Sequence, residues 1–359
     1  MSGTKQIKFN GIDRLYDAYS WRLTRRAKKV WRTGQVLQGP ELNELEERFK
    51  KKYRRKYAVG VGSATDGLYF ALAGHGINKG STVICPVVSY VATAGAIRRT
   101  GAKLNFCDTD NRGNLGSLNL QQKPQAVVYV NLYGNCADYD RIRKYCDENK
   151  AVLIEDAAQS MGAYYKKTWT KSLQSGQMGD TSVFSFDPTK NLPCFGSGGM
   201  ILTDSLAVYE KAIALRRHGL QGTSVVYGYN SLPSEDHCSQ LNFLFDRFTS
   251  LQKMRENVFK WYKEYLPIGT IIQADKNTVS SHHKLVIITG SRDRLKDFLT
   301  KHGIETRVHY SKTLDNGSLN HYPNADYLCA NCLSLPIYPF LEKVEVKYIC
   351  DKIREFNGI

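Results

Sequence analysis

Short, wholly apolar runs that alternate with helix-patterned segments restrict this chain more than any other feature. Ala126-Val-Val-Tyr-Val130 has no polar face, and Ala151-Val-Leu-Ile154 repeats the pattern before running straight into Glu155-Asp156. A strand apolar on both faces belongs in a sheet covered on both sides, which is the habit of parallel sheets. Other segments extend the series. Tyr57-Ala-Val-Gly-Val-Gly62 leads through Ser63-Ala-Thr-Asp66 into the helical run Gly67-Leu-Tyr-Phe-Ala-Leu-Ala73, with Ser, Thr and Asp available as caps. Strands over residues 82–85, 103–106, 181–186 and 199–203, with helices over 91–98 and 139–148, complete an α/β pattern around a mostly parallel sheet. From about residue 245 the pattern shifts. A helix over 248–266, a strand over 284–288 and helices over 292–302 and 344–356 predict a smaller α+β unit.

Charge and cysteine usage narrow the class. Fifty basic residues against 34 acidic give a net charge of +16, and residues 1–60 alone contribute +10 through clusters at 22–32 and 48–56. Such clusters form a solvated basic face or attract a polyanion, either nucleic acid or a phosphorylated small molecule. Nine cysteines, an odd number scattered from Cys85 to Cys350, fit reduced thiols better than a disulfide framework. Cys329-Ala-Asn-Cys332 stands alone, without a second pair or spaced histidines, so no metal is expected. The sequence has no 18-residue apolar run and no apolar stretch near its first residues, which gives the expectation of a cytoplasmic chain without a membrane span.

In open α/β sheets ligands bind beyond the carboxyl ends of the strands, so the residues just after the strands carry the argument. Ser63-Ala-Thr65 opens a helix, where free backbone N–H groups and the helix dipole can seat a phosphate, although an ordinary cap accounts for the same residues. Glu155-Asp156 ends a buried strand. A carboxylate there is costly unless it is capped, ion-paired or set against a protonated ring nitrogen. Ser185-Phe-Asp-Pro-Thr-Lys-Asn191, followed by Gly196-Ser-Gly-Gly199, holds a lysine between two strands, where desolvation lowers its pKa and suits it to capture an aldehyde. Together, a phosphate seat, an acid for a pyridine nitrogen and an amine for an aldehyde match one cofactor, pyridoxal 5′-phosphate.

These motifs give the chain its likeness to a family. Gly62-Ser-Ala-Thr-Asp66, Glu155-Asp-Ala-Ala-Gln159, Gly179-Asp180, Ser185-Phe-Asp-Pro-Thr-Lys-Asn-Leu192, Arg216-Arg-His-Gly219, Gly228-Tyr-Asn230 and Gly303-Ile-Glu-Thr306 occur in the order seen in the DegT/DnrJ/EryC1/StrS sugar aminotransferases, which the sequence resembles from about residue 33 to 336. The resemblance implies a fold-type-I transferase. Its parts would be a basic N-terminal segment (1–32) packed on the large domain, a large cofactor-binding domain (33–245) with a mostly parallel, seven-stranded-type sheet between helices, and a small C-terminal α+β domain (246–359). It further implies that Lys190 carries the cofactor as an aldimine and shuttles a proton, and that Asp156 pairs with the pyridine nitrogen. Gln159 would lie near the ring oxygen, Tyr90 on the ring face, and Ala64, Thr65 and Ser185 on the phosphate. Asn230 would reach the phosphate of a neighbouring subunit in a homodimer with shared sites, and His309 and Tyr310 would lie near the sugar.

Two positions depart from the family pattern. Leu232 stands where an arginine is usual after the asparagine, and Ser197 stands where the glycine-rich stretch usually carries an acid. The expectation is an aminotransferase that takes its amine from glutamate, passes through pyridoxamine phosphate, and aminates a nucleotide-linked keto-sugar, an NDP-4-keto-6-deoxyhexose. The alternatives are a sugar dehydratase, which Lys190 argues against, a cyclitol aminotransferase, and a non-catalytic basic regulatory protein on the same scaffold. Nucleic acid is not the expected partner.

Overall fold

The computed structural model describes residues 6–118, 123–168, 171–221, 224–225, 227–267, 269–315 and 321–358; the first five residues of the N-terminal stretch read above fall outside them. Helix α1 (Ile12–Thr33) comes first and ends at Gly34, whose φ of 72° a left-handed cap requires. Leu15, Leu23, Ala27 and Val30 form its buried stripe, and the basic cluster 22–32 rides on the other side with Trp21 and Trp31 exposed. Helix α2 (Pro40–Tyr53) follows, then β1 (Tyr57–Val61), α3 (Ala64–Gly74), β2 (Thr82–Pro86), α4 (Val91–Arg99), β3 (Lys103–Cys107), β4 (Ala126–Val130), α5 (Tyr139–Asn149) and β5 (Val152–Asp156). The short pair β6 (Tyr164–Lys166) and β7 (Ser172–Gln174) precedes β8 (Thr181–Ser185), β9 (Gly199–Thr203) and α6 (Leu206–Arg216).

Seven of these strands form one sheet in the order β1-β9-β8-β5-β4-β2-β3. Only β9 runs against its neighbours; the pairs β8/β5, β5/β4, β4/β2 and β2/β3 are parallel. The sheet is buried on both faces, as the unbroken apolar strands predicted. Val59, Val61, Val183 and Ile201 pack against Leu68 and Phe70 of α3 and Ile97 of α4. On the other face Ala58, Phe184, Met200 and Leu202 meet Leu42, Leu45 and Phe49 of α2. Since the parallel strands all point the same way, their carboxyl ends converge on one edge.

After the ribbon β10 (Leu220–Gln221) and β11 (Ser224–Val225), helix α7 (Glu235–Tyr265) runs without a break through residue 245. It begins well before the predicted start at residue 248. The reason is that Cys238, Ser239, Leu241, Asn242, Phe243 and Leu244 are all buried, so the buried surface wraps most of this half and includes polar residues, and the amphipathic period fades. Its first residue also has a structural task. Gly39 offers no side chain to cap α2 and Pro40 has no N–H, so the Glu235 carboxylate accepts from the amides of Gly39, Glu41 and Leu42 at 2.8–3.2 Å.

Strand β12 (Thr278–Val279) pairs with β6, and β13 (Leu285–Ile288), α8 (Arg292–Lys301), α9 (Pro323–Asn331), β14 (Cys332–Leu335) and α10 (Lys343–Asn357) build the C-terminal unit. Its antiparallel pair β13–β14 packs with α8, α10 and the second half of α7 around Val258, Tyr262, Leu299 and Ile349. The start of the chain is tied to this unit as well as to α7. Ile7 exchanges backbone hydrogen bonds with Gly303 and Glu305, and Arg14 makes a two-pronged pair with Glu345 at 2.6 Å. Residues 7–14 therefore differ from the expectation that the whole basic segment packs on the large domain. No described helix is long and apolar enough to cross a membrane, the nine cysteines are free, and no metal-holding cluster occurs among the described residues.

Candidate active site

A cleft of about 540 Å³ opens at the carboxyl ends of β1, β2, β4, β5 and β8, between the sheet and the C-terminal unit. One end is the start of α3. Ser63, extended at φ −159°, caps the helix by accepting from the Asp66 amide at 3.2 Å and, through its carbonyl, from Gly67. The amides of Ala64 and Thr65 have no acceptor among the described residues. They lie at the positive end of the helix, and both residues line the cleft, which is what an anion needs. Close backbone approach makes this seat: a Cβ on Gly199 would lie 2.7 Å from the Ala64 nitrogen and 2.9 Å from the Ser63 carbonyl carbon. Ser185, at the end of β8, borders the same place.

Strand alternation gives the two acids of β5 different work. Glu155 faces the side of α5, fully buried, and needs no cation. Its two oxygens accept from Asn131, Ser175, Gly176, Met178 and Ser182 at 2.6–3.1 Å. Asp156 faces the cleft and, among the described residues, accepts from two donors, the Thr93 hydroxyl at 2.8 Å and the Ala158 amide at 3.1 Å. Burial raises its pKa; Thr93, Ala158 and the charge on Lys190 oppose that rise. It therefore has lone pairs and electrostatic reason to meet a cationic donor.

The Asp187–Lys190 loop is a tight turn. Asp187 accepts from the amide and hydroxyl of Thr189 at 2.9 and 2.6 Å, and its carbonyl accepts from the Lys190 amide. Asn191 then pins the loop from behind, donating to the carbonyls of Met161 and Ser281. Lys190 is thus presented to the cleft by fixed backbone, with no ion-pair partner among the described residues. Burial lowers its pKa, with Asp187 and Asp156 acting the other way.

Ala64, Thr65, Tyr90, Asp156, Gln159, Ser185, Lys190, His309 and Tyr310 all line this one cleft. Gln159 is held at both ends: its carbonyl oxygen accepts from the Tyr133 amide at 3.0 Å and its amide donates to Tyr310 Oη at 3.1 Å. Tyr90 stands exposed at the start of α4 with its ring 6.4 Å from that of Tyr310. Asn230 does not line the cleft. It is exposed, bridged to Arg217, and next to Ser231, which is hydrogen-bonded to Gly62 and Asp66 on the flank of the α3 start. Arg216, from the quoted Arg-Arg-His-Gly motif, is a strut: it binds Glu46 and the Gly60 carbonyl.

Four residues were not singled out from sequence. Thr93 supports Asp156, while His283, Lys284 and Arg307 line the cleft from the C-terminal unit. His283 is buried with Nδ1 3.3 Å from Asn191 Oδ1 and with Nε2 lacking a hydrogen-bond partner among the described residues. Nothing in the local sequence marks these four residues for this cleft. The donor set fits the cofactor expected from sequence. Two free amides and a hydroxyl suit a phosphate, an under-used buried carboxylate suits a protonated ring nitrogen, and an unpaired desolvated amine suits an aldehyde.

Comparison with known proteins identifies the family. The chain is 31% identical over 361 residues to the "Pleiotropic regulatory protein" of Geobacillus stearothermophilus, covering 95% of this chain and 96% of that one. It is 31% identical over 338 residues to the UDP-2-acetamido-2-deoxy-3-oxo-D-glucuronate aminotransferase of Pseudomonas aeruginosa, covering 90% and 92%. Its fold superposes on the crystal structure of S. venezuelae DesV in complex with a ketimine intermediate with a TM-score of 0.92, at 29% identity and 99% coverage of both chains. The model of the DegT/DnrJ/EryC1/StrS aminotransferase family matches residues 20–354, and the chain belongs to that family of fold-type-I sugar aminotransferases.

Proposed function

We propose that this chain uses pyridoxal 5′-phosphate to move an amino group from glutamate to a nucleotide-linked keto-sugar, an NDP-4-keto-6-deoxyhexose aminated at C4, with pyridoxamine phosphate as the intermediate form of the cofactor. One observation carries the reading: Lys190 and Asp156 open into a single cleft that also receives the start of α3. When bound, the cofactor supplies a carbonyl that condenses with amines and a cationic ring that accepts an electron pair. Asp156 holds the proton on the ring nitrogen, with Thr93 and Ala158 keeping the carboxylate ionised and oriented. The Ala64 and Thr65 amides and the Ser185 hydroxyl hold the phosphate. Lys190, more readily deprotonated because it is buried, takes the proton from the donor's Cα at Nζ. Tyr90 would cover the ring face, Gln159 would lie beside the ring oxygen, and His309 and Tyr310 would face the sugar. Asn230, exposed on the flank of the phosphate seat, serves the neighbouring site of a homodimer.

A dehydratase reading loses support from Lys190, and a non-catalytic reading does not account for a cleft that keeps Asp156, Ser185 and Lys190 together. The experiment is Lys190→Ala with visible absorbance of the purified protein and turnover of a keto-sugar panel. Loss of the lysine-bound cofactor band and of turnover is expected; retention of both overturns the proposal.

A further inference from the structure

The cleft carries more positive charge than a lysine–carboxylate pair requires. On the wall supplied by the C-terminal unit stand Lys284, just before β13, and Arg307, whose backbone bridges to Ser334 of β14. Neither has an ion-pair partner among the described residues. Lys284 reaches over the Phe9 ring, 4.9 Å from its centroid, and burial, then Lys190 and Arg255, press its pKa well below the ordinary value. Neither nearby carboxylate is ion-paired with this wall among the described residues: Asp187 is held by its own turn, and Asp156, which accepts from Thr93 and Ala158, keeps its remaining lone pairs for the ring nitrogen in the reading above. His309 senses the same excess: burial, then Lys284, Lys190 and Arg307, push it down to about 3. A desolvated cation without a counter-ion is costly, and an arriving anion relieves the cost.

Chemistry decides which anion. An amino donor carries its α-carboxylate on the same carbon as its amine, so that carboxylate must bind within a few ångströms of where Lys190 works. Lys284 is the cation on this wall whose charge is felt against that of Lys190. Arg307 is exposed, and its planar guanidinium suits a second carboxylate. Leu232, where the resembled family carries an arginine, packs into the apolar cluster between α2 and α7 and offers no charge. We propose that Lys284 binds the α-carboxylate and Arg307 the side-chain carboxylate of a dicarboxylic amino donor, replacing the cation that Leu232 lacks. This rests on the aminotransferase reading above and assigns its donor subsite.

The test measures the two halves of the reaction separately in the holoenzyme, together with equilibrium binding of glutarate, a dicarboxylate that cannot react. Lys284→Met keeps the stem over Phe9, and Arg307→Met changes an exposed side chain. Each is expected to weaken glutarate and to raise the KM for glutamate about 10- to 100-fold, the range for losing a charge-assisted hydrogen bond. Arg307→Met should in addition erase most of the preference for glutamate over alanine, and both variants should keep the KM for the nucleotide sugar within about twofold. A parental KM for glutamate in both variants overturns the proposal. So does a loss confined to the nucleotide sugar, or a loss of bound cofactor in Lys284→Met. A parent protein without a lysine-bound cofactor band would instead refute the underlying aminotransferase reading, so the two failures are distinguishable.

Discussion

Replacing Gly199 with alanine tests the phosphate seat through the backbone alone. The added methyl would meet the Ala64 nitrogen at 2.7 Å, the Phe184 carbonyl oxygen at 2.9 Å and the Ser63 carbonyl carbon at 2.9 Å. Ordinary contact lies near 3.5 Å, so the methyl falls short by roughly 0.6–0.8 Å against three atoms, none of which is a side chain that can swing away. Either β9 or the first turn of α3 must move by that amount. Overpacking of this kind costs about 1–3 kcal/mol, and the movement displaces one of the two amides that would hold the phosphate. Losing one hydrogen bond to a charged group weakens binding by about 10- to 100-fold. We therefore expect Gly199→Ala to fold, to unfold at lower urea by about 2 kcal/mol, and to bind pyridoxal phosphate at least about tenfold more weakly in an absorbance titration of the apoprotein. Gly198→Ala is the stability control, because its methyl would meet only the Phe186 side chain, at 3.2 Å or more. Parental stability and cofactor affinity in Gly199→Ala would refute the idea that backbone proximity builds this seat.

Asp156→Asn should separate folding from chemistry. The Asn amide can accept from Ala158 and donate to a rotated Thr93 hydroxyl, so no buried group is orphaned. The folded-state pKa of Asp156 is raised by burial, so between the ordinary carboxylate value and that raised value the native protein binds the extra proton. Stability of the parent apoprotein therefore falls as pH rises through that window, and the variant should lack this fall in urea titrations across pH. Its turnover should drop about 100-fold or more for want of a charge against the ring nitrogen. Glu155→Gln should do the reverse. An amide among five donors leaves backbone N–H groups of Gly176 or Met178 unpaired, costing about 3 kcal/mol in apparent unfolding free energy, with a much smaller effect on turnover per folded molecule.

The reach of the sequence follows from which information is local. Unbroken apolar strands identify a two-sided sheet, and parallel connectivity sends its ligands to the carboxyl ends, so the helix start at Ser63-Ala-Thr65, Asp156 and Lys190 could be picked out as candidates one strand end at a time. Ser185 as a phosphate residue came from the family resemblance instead. Alternation within β5 could not be used without knowing which face holds the cleft. The sequence offered Glu155 and Asp156 as neighbours, and only the sheet assigned the first to five protein donors and left the second free. The first half of α7 hid because its buried surface wraps most of the helix and includes Ser239 and Asn242, and periodicity detects a helix only by contrast between two faces. The cations Lys284 and Arg307 were out of reach because nothing local marks them. They become part of the cleft when β13 and β14 of the C-terminal unit bring residues from far along the chain against the loop that carries Lys190. Local residue type and spacing therefore determined the sheet, the acid, the amine and the helix start. Tertiary packing alone decided which charges meet, because burial and Coulomb interaction depend on distance in space.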